Sequence, residues 1–221
     1  VSQTCRRAVI LCHGTPPSAA LLQRHLAGAD LVICTDGAAA WAQDHGCPVQ
    51  VVLGDMDSLT RPLPGAEMVN SGPHEVQENS DAEKALRYAL QQGAREVVLL
   101  GATGGRLDHT LANVALVVAY ADRAEVSLAD DTCQLWVVRG RRELPAPPGT
   151  MVSLLALEPD TVVRTEGLCW PLDEPLALGT RGLSNRVQAA PVVVEAVKGS
   201  LLAMVLEAEV KGFQDRQDNG G

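Results

Sequence analysis

What most limits the folds open to this chain is the alternation of two hydrophobic periods along its N-terminal part. Ala8 to Cys12 is an apolar run of strand length, stopped by His13-Gly14-Thr15-Pro16-Pro17; after Ser18, residues Ala19, Leu22 and Leu26 fall at helical spacing. Leu31 to Cys34 repeats the strand signal, Asp36-Gly37 ends it, and Ala38 to His45 reads as a helix closed by Gly46. Val49 to Leu53 is a third strand and Met68-Val69 a weaker one. Ser80-Asp81-Ala82-Glu83 has capping-box spacing ahead of a helix bearing Ala85, Leu86, Ala89 and Leu90 and ended by Gly93. Val97 to Leu100 is another buried strand, and the loop Gly101 to Gly105 precedes a helix from Leu107 to about Ala121. Such alternation predicts a mostly parallel α/β sandwich whose ligands gather where the strands end at their carboxyl side.

The pattern changes at Leu144-Pro145-Ala146-Pro147-Pro148-Gly149, where three prolines in four positions exclude a helix or a central strand. Beyond it the helical period disappears. Met151 to Leu157, Thr161 to Thr165, Pro191 to Val197 and Leu201 to Glu207 are β-type runs, with Lys198-Gly199 as a turn between the last two. The expectation is two domains, 1–143 of α/β type and 144–221 an all-β sandwich or barrel. A net charge of -9, with no basic cluster beyond Arg139, Arg141 and Arg142, excludes a phosphate-backbone track and hence nucleic acid. The longest apolar run, Val114 to Tyr120, is far short of a membrane span, and no charged-then-apolar leader opens the chain. Six cysteines without Cys-x-x-Cys spacing, several inside apolar runs, fit buried reduced thiols. A cytoplasmic protein is the expectation.

The residues that could carry chemistry cluster at the ends of the expected strands. Val49-Gln50-Val51-Val52-Leu53-Gly54 runs into Asp55-Met56-Asp57-Ser58, and in an extended backbone Asp55 and Asp57 would face one cavity while Met56 turns away. Two adjacent carboxylates repel, and a hard cation such as Mg2+ would satisfy them, although an Asp-rich turn capping a strand has the same spelling. Asp36-Gly37 is likewise a common turn dipeptide. Asp81 follows Gln77 and precedes Lys84; an acid there is favoured by the helix dipole, and Lys84 one turn later could be its surface partner. In Gly101-Ala102-Thr103-Gly104-Gly105-Arg106-Leu107-Asp108-His109 the glycines allow close backbone approach, Arg106 offers a fork for phosphate oxygens, and the next helix presents free amides. The loop lacks the Gly-Lys-Ser/Thr of a P-loop and the glycine spacing of a dinucleotide fingerprint.

Taken in order, Asp36-Gly37, Gly54-Asp55-Met56-Asp57-Ser58, Gln77-x-x-Ser80-Asp81-x-x-Lys84 and Gly104-Gly105-Arg106-x-Asp108-His109 resemble the thiamine pyrophosphokinase family. The resemblance continues in Gly167-Leu168-Cys169-Trp170-Pro171-Leu172 and Leu183-Ser184-Asn185. It implies a Rossmann-like catalytic domain, a β-sandwich domain that binds thiamine, and a homodimer with its active site between subunits. The implied reaction is Mg2+-dependent transfer of pyrophosphate from ATP to the thiamine hydroxyl, with release of AMP. By the same resemblance Asp55, Asp57 and Asp81 are the metal and phosphate-handling acids, with Asp36 and Asp108 nearby. Gln77, Lys84 and Arg106 fall among the polar contacts, and His109 with the loop of Gly101, Thr103, Gly104 and Gly105 on the nucleotide side. Ser184 and Asn185 correspond to contacts with the thiamine pyrimidine, and Trp170 to a flat wall for one of its rings, though a sandwich core would also use a Trp. Two positions depart from the family pattern: Ala38 stands where a second glycine is frequent, and Ser80 where threonine is usual. Transfer to another hydroxymethyl heterocycle, such as a pterin, and a non-catalytic nucleotide or thiamine sensor remain open alternatives.

Overall fold

The computed structural model describes residues 5–70 and 79–207, and the chain divides into two compact units at Asp131/Thr132. The first contains β1 (Arg7–Leu11), α1 (Ala19–Leu26), β2 (Leu31–Thr35), α2 (Ala39–Asp44), β3 (Val51–Gly54), β4 (Glu67–Asn70), α3 (Asp81–Gln91), β5 (Glu96–Leu100), α4 (Leu107–Tyr120) and β6 (Glu125–Ala129). Its strands pair in parallel in the order β6-β5-β1-β2-β3-β4. Val9 lies between Val32 and Val98, and all three are buried, as the unbroken apolar runs require. Ser18 and Ser80 cap α1 and α3, each hydroxyl accepting an amide N–H three residues on. A 3-10 turn over Asp36–Ala38 delays α2 by one residue against the expected start.

The order of the strands positions the site. From β1 the chain steps outward through β2, β3 and β4, then returns by α3 to place β5 on the other side of β1. Connections leaving the carboxyl ends of β1 and β5 therefore diverge, and the crevice between them is where a ligand enters an open parallel sheet.

The second unit contains β7 (Cys133–Leu144), β8 (Met151–Ala156), β9 (Val162–Glu166), β10 (Asp173–Pro175), β11 (Asn185–Arg186) and β12 (Val192–Leu206), with no helix among the described residues. β7 precedes the proline stretch, yet it packs here because it pairs with β12 from Leu144–Val192 to Cys133–Leu206. The prolines connect β7 to β8. Neither β6 nor β7 falls in a stretch to which the hydrophobic period assigns a strand.

The turn expected at Lys198-Gly199 is instead an irregularity inside one long strand. β12 shifts register between Ala196 and Leu201, where Gly140 of β7 and Gly199 both take a left-handed φ, +73° and +74°. A glycine with positive φ serves a bulge as well as a turn, so the dipeptide alone does not separate them. Before the shift β12 pairs with β9, and after it with β8. Passing from one pairing to the other at a bulge is how a strand turns a sandwich corner. Trp136, Leu154, Leu176, Val194 and Leu201 are buried in the resulting core.

Candidate active site

Thr35 of β2 lies opposite Leu53 of β3, so the residues after the two strands emerge from one edge of the sheet. Asp36 comes first and is only 3% exposed. Its Oδ1 accepts the N–H of Gly37 at 2.7 Å and its Oδ2 the N–H of Met56 at 3.0 Å, which fastens the loop after β3 to the turn after β2. Gly54 closes β3 directly beneath this carboxylate: a Cβ there would fall 2.5 Å from Asp36 Cγ. Met56 has φ +69°, so Asp55 and Asp57 do not converge through strand alternation. β3 has already ended, and a left-handed turn brings them together, with Asp57 N–H donating to Asp55 Oδ1 at 3.2 Å and Ser58 Oγ to Asp57 Oδ1 at 2.9 Å.

Asp36, Asp55 and Asp57 each offer a carboxylate oxygen within 4.8 Å of the others. Burial, reinforced by the charge of Asp81, pushes the Asp36 carboxyl above its ordinary pKa against the pull of its amide donors. Asp55 is held below the usual range, first by the N–H of Asp57. An oxygen-only set of this charge fits a hard divalent cation. Asp81, expected in the set, stands beside it and pairs with Lys84 Nζ at 2.9 Å. Lys84 is not a surface partner, because its side chain is 7% exposed.

A cavity of about 560 Å³ opens at these strand ends. Asp36, Asp55, Asp81 and Lys84 form part of its wall, Gly101, Gly104, Gly105, Arg106 and His109 another. Thr103 is turned aside, its hydroxyl donating to Asp130 at 2.9 Å. Arg106 holds Asp108 through two hydrogen bonds, Nε to Oδ1 at 3.1 Å and Nη2 to Oδ2 at 2.5 Å, and this guanidinium lowers the Asp108 pKa to about 2. Both side chains are exposed, so water already screens the pair and a phosphate can take the place of Asp108 at little cost. Gln77 lies outside the described residues.

Several cavity residues belong to no motif quoted above: Cys12, His13 and Gly14 after β1, Thr35 at the end of β2, Asn79, and Asn113 in α4; Ser58 and Ser80, also in its wall, lie within the motifs of Asp57 and Asp81. The His13-Gly14-Thr15 loop runs against the glycine loop after β5, Gly14 N–H donating to Gly101 O at 2.7 Å and Thr15 N–H to Thr103 O at 2.8 Å. The His13 ring covers Gly37, where a Cβ would fall 2.2 Å from Nδ1. Position 37 is glycine for that contact. A glycine loop ending the first strand is the signal that could have marked this segment. The Thr35 hydroxyl, buried in the wall, has no hydrogen-bond partner among the described residues.

In the second unit Trp170 is 59% exposed and is therefore not a core residue. Asn185 is 5% exposed; its Oδ1 accepts the N–H of Trp170 at 3.2 Å and that of Arg186 at 2.9 Å, while Nδ2 donates to Trp170 O at 2.6 Å. Ser184 is exposed with φ +58°, its N–H donating to Ser153 Oγ at 3.0 Å.

Residues 22–128 match the family described as "Thiamin pyrophosphokinase, catalytic domain", and residues 141–201 match "Thiamin pyrophosphokinase, vitamin B1 binding domain". Two similar proteins are thiamine pyrophosphokinases 2 and 1 of Arabidopsis thaliana, 28% and 27% identical, with 95% and 94% of this chain and 89% and 88% of those proteins covered. The fold is shared with the thiamine pyrophosphokinase from Bacillus subtilis (TM-score 0.79, 20% identity, 92% and 100% of the two chains covered). It is shared too with the yeast thiamin pyrophosphokinase (TM-score 0.74, 15% identity, 93% and 87% covered). Both halves of a two-domain family are thus matched in order on a chain whose first unit gathers three acids beside a glycine loop, and the chain belongs to the thiamine pyrophosphokinase family.

Proposed function

We propose that the chain transfers the pyrophosphoryl group of ATP to the hydroxyl of thiamine, giving thiamine diphosphate and AMP, in the cavity at the carboxyl ends of β1, β2, β3 and β5. The observation that carries this reading is the Asp36, Asp55 and Asp57 trio, two of whose members, Asp36 and Asp55, line one cavity with Arg106 and His109. Phosphates lie against the free amides of α4 and the glycine loop, with Arg106 exchanging Asp108 for phosphate oxygens. Lys84, held by Asp81, presents a fixed positive charge to the same space. Mg2+ fits the trio and, when bound, supplies positive charge to the phosphate oxygens. Asp36 acts by fixing Asp55 and Asp57 through its amide contacts. Positioning and electrostatics, without a covalent intermediate, account for the acceleration. The α/β unit is the catalytic part, and the β unit with Trp170 the thiamine-binding part.

Purified protein incubated with thiamine, ATP and Mg2+ is expected to give AMP and thiamine diphosphate in equal amounts by chromatography. ADP with thiamine monophosphate would mean attack at a different phosphorus, and no product would remove the reading.

We propose a homodimer as well. Leu107 and Leu111 of α4 are 71% and 60% exposed, and Ala112, Ala115 and Ala119 on the same helix are also exposed. A helix apolar on its open side calls for a cover. A second copy there would stand beside Arg106 and the cavity. Leu111→Lys is expected to convert the dimer to a monomer in sedimentation analysis; an unchanged species would place the interface elsewhere. A cytoplasmic location is supported by six cysteines present as thiols, three of them buried. No described helix is long and apolar enough to cross a membrane.

A further inference from the structure

α3 packs chiefly over β1, β2 and β3, while β4 forms the edge of the sheet. Leu53 of β3 and Val69 of β4 stand opposite each other, so their side chains share one face. Lys84, Arg87, Tyr88 and Gln91 are spaced i, i+3, i+4 and i+7 along α3 and share one stripe of that helix. This stripe and the strand pair, with Asn70, enclose a second cavity of about 170 Å³. We propose that this cavity binds a small oxyanion of the phosphate class, and that an anion there slows turnover by drawing Lys84 away from Asp81. The site does not depend on the reaction assigned above; its effect on turnover does.

The chemistry of the wall selects an anion. Two cations, a phenol and two amides stand over an apolar floor, each of these polar side chains can donate a hydrogen bond, and no carboxylate is among the described residues that line the space. Tyr88 keeps its proton, because burial and then the charge of Glu67 raise its pKa. Arg87 is exposed and makes no hydrogen bond or ion pair among the described residues, so its fork is open to a ligand. The volume is well below the ~300–1,000 Å³ of pockets for drug-sized ligands, which limits the occupant to the size of phosphate or pyrophosphate. Lys84 is the one described residue that lines both cavities. Its ammonium group lies 2.9 Å from Asp81 on the side of the first, and an anion in the second competes with Asp81 for it. With its side chain only 7% exposed, the ammonium has little water to turn to, so what one cavity gains the other loses.

The test titrates the full chain with inorganic phosphate by calorimetry, with ATP saturating and thiamine left out, so that the first cavity is filled and nothing turns over. The parent is expected to bind phosphate, and Arg87→Ala to bind it about tenfold more weakly for want of a charge-assisted contact. Glu67→Gln removes the negative charge felt by Tyr88 and should tighten binding about twofold. In steady-state assays phosphate should lower kcat without raising the KM for ATP or thiamine, and Arg87→Ala should need about tenfold more phosphate for the same effect. Arg87 and Glu67 are exposed and outside the first cavity, so turnover without phosphate should not change in either variant. Sulfate should act as phosphate does, and chloride at matched ionic strength should not. Phosphate binding that is absent, or equal in the parent and Arg87→Ala, would overturn the proposal. Inhibition relieved by excess ATP would place the anion in the first cavity, and inhibition matched by chloride would reduce it to screening; either overturns it too. Binding that needs Arg87 but leaves kcat unchanged would overturn the coupling through Lys84. If the parent forms no thiamine diphosphate, the reaction assigned above fails, and the calorimetric comparison still decides the site.

Discussion

Asp57→Asn is expected to lower turnover by at least about 10²-fold while leaving the melting temperature within about 1 °C of the parent. Asp57 is exposed at the end of a left-handed turn, and the bonds described for it join only neighbours, Ser58 and Asp55. Asparagine keeps its size and one oxygen and removes its charge from the trio with Asp36 and Asp55. A site built to hold a hard cation loses most from that change, because amide oxygen is a much weaker partner than carboxylate. Turnover is measured at saturating thiamine and ATP over a Mg2+ series, with a thermal melt alongside. Full activity in the variant would remove Asp57 from the metal-binding set.

Gly54→Ala is expected to be as damaging by a different route. The new Cβ would sit 2.5 Å from Asp36 Cγ and 2.8 Å from both its oxygens, closer than atoms approach without movement. Asp36 is too buried to swing outward freely, and displacing it strips the amides of Gly37 and Met56 of their acceptor. Loss of such a buried partner costs about 1–3 kcal/mol, and at about 2–4 °C per kcal/mol for a chain of this length the melting temperature should fall by about 2–12 °C. Misplacing the acids by an ångström should lower activity by about 10²-fold. A variant with parental activity and melting temperature would show that the Asp36 contacts do not assemble the site.

The strands of the parallel sheet were legible because burial on both faces demands continuous apolar runs, and Val9, Ile33, Val52 and Leu99 stand in such runs. β7 was not, since its second half, Arg139-Gly140-Arg141-Arg142-Glu143, is polar and mostly exposed and is held by its pairing with β12. Local signals also cannot tell a turn from a bulge at Gly199, because both ask the same of one backbone angle. In the site, Asp55 and Asp57 were visible as a spaced pair, but the entry of Asp36 into their trio is a product of β2 lying next to β3. His13, Thr35 and Asn113 reach the cavity through neighbours far away in sequence, and no spacing rule records such meetings.

β12 has a consequence for the order in which the protein can be made. Each parallel strand of the first unit finds a partner already synthesised or soon to follow, so that unit can assemble as it leaves the ribosome. β7, β8 and β9 all pair with β12, which comes after them in the chain. The edges that they offer to β12 stay open until residues 192–206 emerge, although β10 and β11 already cover the others of β9 and β8. The second unit therefore closes in one late step, and a ribosome stalled before Val192 would hold a finished first unit beside three strands that each lack their long partner.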